Sequence, residues 1–60
     1  MPYVHVHWFE GRSSKQKAEI AKRITEALGE VASVPPEQVW IRFDDSARAD
    51  WAMGGEIQEK

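Results

Sequence analysis

The residue with the most chemistry to offer is the second one. A methionine followed by a small residue such as proline is normally removed from new chains, which would leave Pro2 with a free secondary amine. An ordinary α-amino group titrates at roughly 7.7–8.0. Desolvation or a nearby positive charge favours the neutral form and lowers that value. A neutral amine near pH 7 can serve as a general base, or as a nucleophile toward carbonyl compounds. Taken alone this is a weak signal, since proline after methionine is common and usually has no role. The other reactive residue types say less. His5 and His7 sit on one face of a strand, a spacing that holds zinc when further ligands exist. No third ligand is evident, so no metal is expected and they read as satisfied interface histidines. Asp44 and Asp45 are adjacent and so point to opposite faces of a strand; they read as a strand end and a loop cap. Gly54-Gly55 lacks the Lys-Ser/Thr of a phosphate loop and reads as a turn. The chain has no cysteine, and a Ser-His-Asp set is not suggested because both histidines share one strand.

Three elements must position these residues. From Pro2 to Phe9 the pattern alternates, with Val4, Val6 and Trp8 on one face and Tyr3, His5, His7 and Phe9 on the other. Glu10-Gly11-Arg12 reads as a tight strand-to-helix connection. A helix is predicted from about Ser14 to Ala32, with Ser13 as N-cap and Gln16 completing a capping box. Its apolar stripe is Ile20, Ile24, Ala27, Leu28 and Val31, and Glu19–Arg23 and Lys22–Glu26 are i,i+4 pairs on the solvated side. Pro35-Pro36 ensures that the helix has ended. A second strand is predicted from about Gln38 to Asp44, with Val39, Ile41 and Phe43 toward the helix and Trp40, Arg42 and Asp44 away from it. Asp45 to Asp50 reads as a polar loop, and Trp51 to Lys60 as a short hairpin around Gly54-Gly55.

The expected fold is therefore α+β: one domain over residues 1–60, a single βαβ unit with parallel strands and a C-terminal hairpin. Two strands under one helix leave an open face and open edges. Without cysteines there is no disulfide to compensate for so small a core, so the unit is expected to assemble into an oligomer. Eight basic against ten acidic side chains give a net charge of −2 with no basic block, the wrong balance for a nucleic-acid module. No apolar run is long enough to span a bilayer. Nor does the N-terminus show a basic stretch followed by a long apolar one, so a cytoplasmic location is expected.

Met1-Pro2-Tyr3-Val4, Glu10-Gly11-Arg12-Ser13 with Gln16-Lys17 after it, and Gly54-Gly55-Glu56 stand together at spacings that resemble the 4-oxalocrotonate tautomerase family. The resemblance covers nearly the whole chain without a gap. It implies a βαβ fold with a C-terminal hairpin, assembled as hexamers built from dimers, working without a cofactor. It implies that Pro2 is the general base, moving a proton within a small enol or unsaturated 2-oxo acid by a keto–enol or 1,3/1,5 shift. Arg12 matches the family arginine that grips a substrate carboxylate, a task its planar fork suits. Trp51 falls where the family has an aromatic wall, which would keep water from the amine.

One position departs from the pattern. The best-known members of that family carry a second arginine in the second strand, and here Trp40 stands in its place. An indole offers a face and one N–H donor but no cationic fork. Arg42, two residues on along the same face, is a candidate substitute; its more ordinary role is to pair with Asp44 or with a neighbouring subunit. Trp40 would widen the pocket toward a monocarboxylate with an apolar tail. Two rivals follow: a dehalogenase- or hydratase-like member of the same superfamily, for which no water-activating carboxylate can be placed, and a non-catalytic oligomeric protein that binds small molecules.

Overall fold

The computed structural model describes residues 1–59. Strand β1 (Tyr3–Phe9) leads into helix α1 (Ser14–Ala32), which returns the chain to strand β2 (Trp40–Ser46). β1 and β2 pair in parallel, from Tyr3 opposite Trp40 to Phe9 opposite Ser46. Two short strands, β3 (Ala52–Met53) and β4 (Glu56–Ile57), close an antiparallel hairpin. Its two loop residues, Gly54 and Gly55, have φ of 60° and 84°, the positive-φ pair that a tight hairpin turn requires. Lys60, part of the expected hairpin segment, lies outside the described residues.

The helix begins as its sequence predicts. The Ser13 hydroxyl accepts from the Gln16 N–H (3.1 Å), and the Gln16 side chain accepts from the Ser13 N–H (2.9 Å). Its other end is set by Ser33 rather than by the prolines. Ser33 adopts a left-handed conformation (φ 59°, ψ 35°) and donates its N–H to the Gly29 carbonyl at 3.1 Å, while Val34 donates to Leu28. The apolar stripe is narrower than expected. Ile20, Ile24 and Leu28 are half-buried, but Ala27 is exposed and Val31 is 87% exposed. At 1.5 Å per residue the helix runs about 28 Å and outreaches a seven-residue strand of about 23 Å, so its last turn has nothing to cover. Of the two expected i,i+4 pairs, Glu19–Arg23 closes at 2.9 Å; Lys22–Glu26 is not among the ion pairs of the described residues.

The second strand is displaced two residues toward the C-terminus. Pro36–Gln38 form a short 3-10 turn, which delays its start to Trp40. The parallel ladder then carries it through Asp45 and Ser46, closed by the Glu10 N–H donating to the Ser46 carbonyl at 2.9 Å. The expected loop from Asp45 to Asp50 thus reduces to one residue, Ala47, followed by a second 3-10 turn over Arg48–Asp50.

Between helix and sheet, Trp8 stacks on Phe43 with ring centroids 5.4 Å apart. Even so, no described residue is buried in the single chain. Its radius of gyration is 14.5 Å, against about 10 Å for a compact chain of this length. Its accessible surface is 4752 Å², against about 4,000 Å² expected for a folded monomer of this mass. The excess is comparable to what one partner gives to a standard interface, about 800 Å². Among the described residues, no helix is long and apolar enough to cross a membrane.

Candidate active site

The expected site residues divide between the two ends of β1. At its start Pro2 is half-buried, and its carbonyl accepts the Trp40 N–H at 3.0 Å. That bond fixes where β2 begins and puts Trp40 beside the chain terminus. Trp40 is 57% exposed, on the sheet face turned away from the helix, with Tyr3 opposite it in register.

At the other end the chain turns at Gly11, whose φ of 131° few other residues adopt. The turn folds Arg12 back along the strand. Its Nη1 donates to the Phe9 carbonyl at 3.0 Å, and its guanidinium lies 4.7 Å from the centre of the Trp8 ring. Trp51 covers the open face at the same end. Its ring sits 4.6 Å from that of Phe9 and meets His7 edge-on at 5.4 Å. Arg48, absent from the residues singled out by sequence, stands over Phe9 with its guanidinium 4.2 Å from the ring centre. Its position depends on the 3-10 turn over Arg48–Asp50, and no periodicity in a six-residue polar stretch announces that turn.

Arg42 lies between the two ends, opposite His5 in register. Its Nε donates to Asp44 Oδ1 at 3.1 Å, the more ordinary of its two expected roles. Asp44 also accepts from His5 Nε2. The two imidazoles stack at 5.8 Å, and His7 Nε2 is hydrogen-bonded to Ser46 Oγ at 2.8 Å. The open face is thus laced by polar bonds between the strands, and among the described residues no three His, Asp or Glu side chains converge as metal ligands.

The two neighbouring aspartates do point to opposite faces, yet neither is a bare strand end or loop cap. Asp45 joins the helix to both strands: Lys17 Nζ donates to its Oδ2 at 2.5 Å and Trp8 Nε1 to its Oδ1 at 2.7 Å. These bonds, the lysine's first, hold its carboxyl below the ordinary carboxylate value. The hydrogen bond from His5, and then Arg42, does the same for Asp44. Trp8 is thereby pinned in the orientation that supports Arg12. Outside it, an open groove of about 460 Å³ runs between strand and helix, lined by Trp8, Arg12, Gln16, Glu19, Ile20 and Arg23.

The arrangement sets Pro2 at one end of β1 and, at the other, a guanidinium held against backbone and indole near a packed Phe9–Trp51 pair. The model of the family described as "Tautomerase enzyme" matches residues 2–60. The chain is 45% identical to the probable tautomerase LL0574 of Lactococcus lactis subsp. lactis, over all of this chain and 98% of that one. Among solved structures, it is similar to a 4-oxalocrotonate tautomerase homologue, TTHB242, with a TM-score of 0.86 and 32% identity over 95% of this chain and 90% of the other. It is also similar to the heterohexamer 4-oxalocrotonate tautomerase of Chloroflexus aurantiacus J-10-fl, with a TM-score of 0.83 and 29% identity over 97% and 94%. Matched along almost its whole length in sequence and in fold, the chain belongs to the 4-oxalocrotonate tautomerase family.

Proposed function

We propose that the chain is a cofactor-independent tautomerase that uses the amine of Pro2, freed by loss of Met1, as general base toward a small enol or unsaturated 2-oxo acid. The neutral amine removes an acidic proton and returns it elsewhere on the conjugated system. The substrate's own carbonyl acidifies the neighbouring C–H. Arg12 grips a carboxylate, Trp51 keeps water from the reacting end, and Trp40 shapes an apolar wall. Arg42 takes a cationic role here only by giving up its bond to Asp44. Replacing it with alanine tests that role, and an unchanged kcat/KM removes it from the site.

The observation that carries this reading is the way Arg12 is held: stacked on Trp8 and donor to the carbonyl of Phe9, whose ring packs on Trp51. An arginine held on one side by backbone and ring keeps its remaining N–H donors for a ligand. Pro2 and Arg12 nevertheless flank a strand about 23 Å long. In this reading one copy supplies the amine and another supplies Arg12 and Trp51, so the working form is a homo-oligomer, with a hexamer favoured, acting in the cytoplasm.

The test is the rate of ketonisation of phenylenolpyruvate and of 2-hydroxymuconate, comparing the processed wild type with Pro2→Ala. A rate that collapses in the variant supports the reading, and a preference for phenylenolpyruvate supports the apolar role of Trp40. If neither compound reacts above buffer, or the variant matches wild type, the reading fails. Trp40 in place of a second arginine favours one rival, a non-catalytic binding protein. The chain terminus discriminates it: a retained Met1 makes the Pro2 nitrogen an amide, which cannot act as a base.

A further inference from the structure

Four arginines occur in the chain, and three have hydrogen-bond partners. Arg12 donates to the Phe9 carbonyl, Arg23 to Glu19 and Arg42 to Asp44. Arg48 is different. Among the described residues its guanidinium forms no ion pair, and its one close neighbour of note is the Phe9 ring at 4.2 Å. A guanidinium lying over a ring face uses that face alone and leaves the N–H donors at its edge unengaged. The residue it covers is the one whose carbonyl holds Arg12 and whose ring packs on Trp51.

Resting on the proposed reaction, we infer that Arg48 is a second carboxylate-binding residue, acting with Arg12 at the distal end of β1. Two cations meet Phe9, Arg12 at its carbonyl and Arg48 at its ring face, and among the described residues neither forms an ion pair. In the proposed assembly the other side of the site is the start of β1 of another copy, where Trp40 stands beside Pro2 and offers an exposed indole. Charge is thus collected at one end of the site and removed from the other. The ligand this suits carries a carboxylate at one end and an apolar, ring-bearing tail at the other. The cation missing at Trp40 is in this sense relocated, from a strand to a 3-10 turn, and it serves a different end of the ligand.

The test is binding, measured by calorimetry on the processed oligomer, of trans-cinnamate and of its neutral amide. These probes share ring and chain and differ in charge at one end. Wild type is expected to prefer the carboxylate. Arg48→Gln is expected to reduce that preference about tenfold, the scale of one charge-assisted bond, while leaving the affinity for the amide intact. Arg48→Lys is expected to retain part of the preference. Lys22→Gln, which makes the same change in net charge at an exposed helix position, is expected to leave it unchanged. The inference is overturned by a wild type with no preference, or by an unchanged preference in Arg48→Gln. It is equally overturned if both probes weaken together, which would make Arg48 a packing residue for Phe9, or if Lys22→Gln gives an equal loss. Turnover in Pro2→Ala judges the proposed reaction separately, since the amine can fail as a base while the carboxylate preference stands.

Discussion

The two ends of β1 are built on opposite plans. The N-terminal end is simple: a half-buried Pro2, one backbone bond to Trp40, and two exposed aromatic rings, Tyr3 and Trp40. The C-terminal end is densely tied. Arg12 rests on Trp8, Trp8 donates to Asp45, Asp45 accepts from Lys17 of the helix, and Phe9 is enclosed by Arg12, Arg48 and Trp51. The difference assigns the labour. A general base needs an unencumbered nitrogen, whereas a carboxylate clamp needs a guanidinium whose rotamers are already fixed, since ordering it on binding would cost affinity. In the proposed reaction the loose end reacts and the tied end holds.

The largest test of that division is Pro2→Ala. Alanine keeps a free α-amine, but exchanging the ring-held secondary amine for a mobile primary one is expected to lower the ketonisation rate by about a hundredfold, with binding of a carboxylate inhibitor nearly unchanged. If inhibitor binding falls in step with rate, the two ends are not separate in function. Next is Arg12→Gln. Removing a charged hydrogen bond of about 1.5–3 kcal/mol is expected to lower kcat/KM about tenfold to a hundredfold, chiefly through KM when the contact holds substrate and transition state alike. A loss confined to kcat would instead place Arg12 at the developing charge.

Trp40→Arg sharpens the contrast by restoring charge to the bare end. Kinetics with both enol acids should then show the ratio of kcat/KM for 2-hydroxymuconate over phenylenolpyruvate rising about tenfold. An unchanged ratio would take Trp40 out of the pocket.

Acid should loosen the tied end first. Asp44 and Asp45 are both held below the ordinary value of 3.8 by their hydrogen bonds. A carboxyl whose folded value is depressed contributes stability that is complete above its unfolded value and disappears as pH falls through the folded one. The melting temperature should therefore drop as pH is lowered below about 4. The drop should be shallower in Asp45→Asn, which has no charge to lose, and high salt should blunt it in the parent. An acid profile identical in parent and variant would show that Asp45 does not couple helix to sheet. The smallest effect is expected at the helix C-terminus. Ser33→Gly relieves a left-handed serine at the helix terminus, and should stabilise the fold by about 0.5–1 kcal/mol in denaturant melts without changing any kinetic constant.

Much of the fold was legible because its signals are local. Ser13 and Gln16 cap the helix through bonds spanning three residues, and Gly54-Gly55 turn the hairpin through their own backbone preferences. The alternation of Val4, Val6 and Trp8 faces the helix side as read, and Met1-Pro2-Tyr3-Val4, Glu10-Gly11-Arg12-Ser13 with Gln16-Lys17, and Gly54-Gly55-Glu56 at their spacings carried the family resemblance. The edges of β2 were misread, because a proline-led 3-10 turn and the length of a ladder are decided by what the strand pairs with. The expectation of further copies also follows from the chain itself, since sixty residues without cysteine have a marginal core, and the exposed Tyr3, Trp40, Met53 and Ile57 agree with it.

Only the tertiary structure decided which polar groups meet. His5 with Asp44, His7 with Ser46 and Trp8 with Asp45 join residues 37 to 39 positions apart. Those pairings are set by the parallel register, which no short-range pattern encodes. The placement of Arg48 over Phe9 has the same origin, and so does the separation of Pro2 from Arg12 along the full length of a strand. Caps, turns and amphipathic stripes depend on neighbours a few residues away and can be read from the chain. A site made of side chains brought together across a ladder depends on register, and register exists only once the strands have paired.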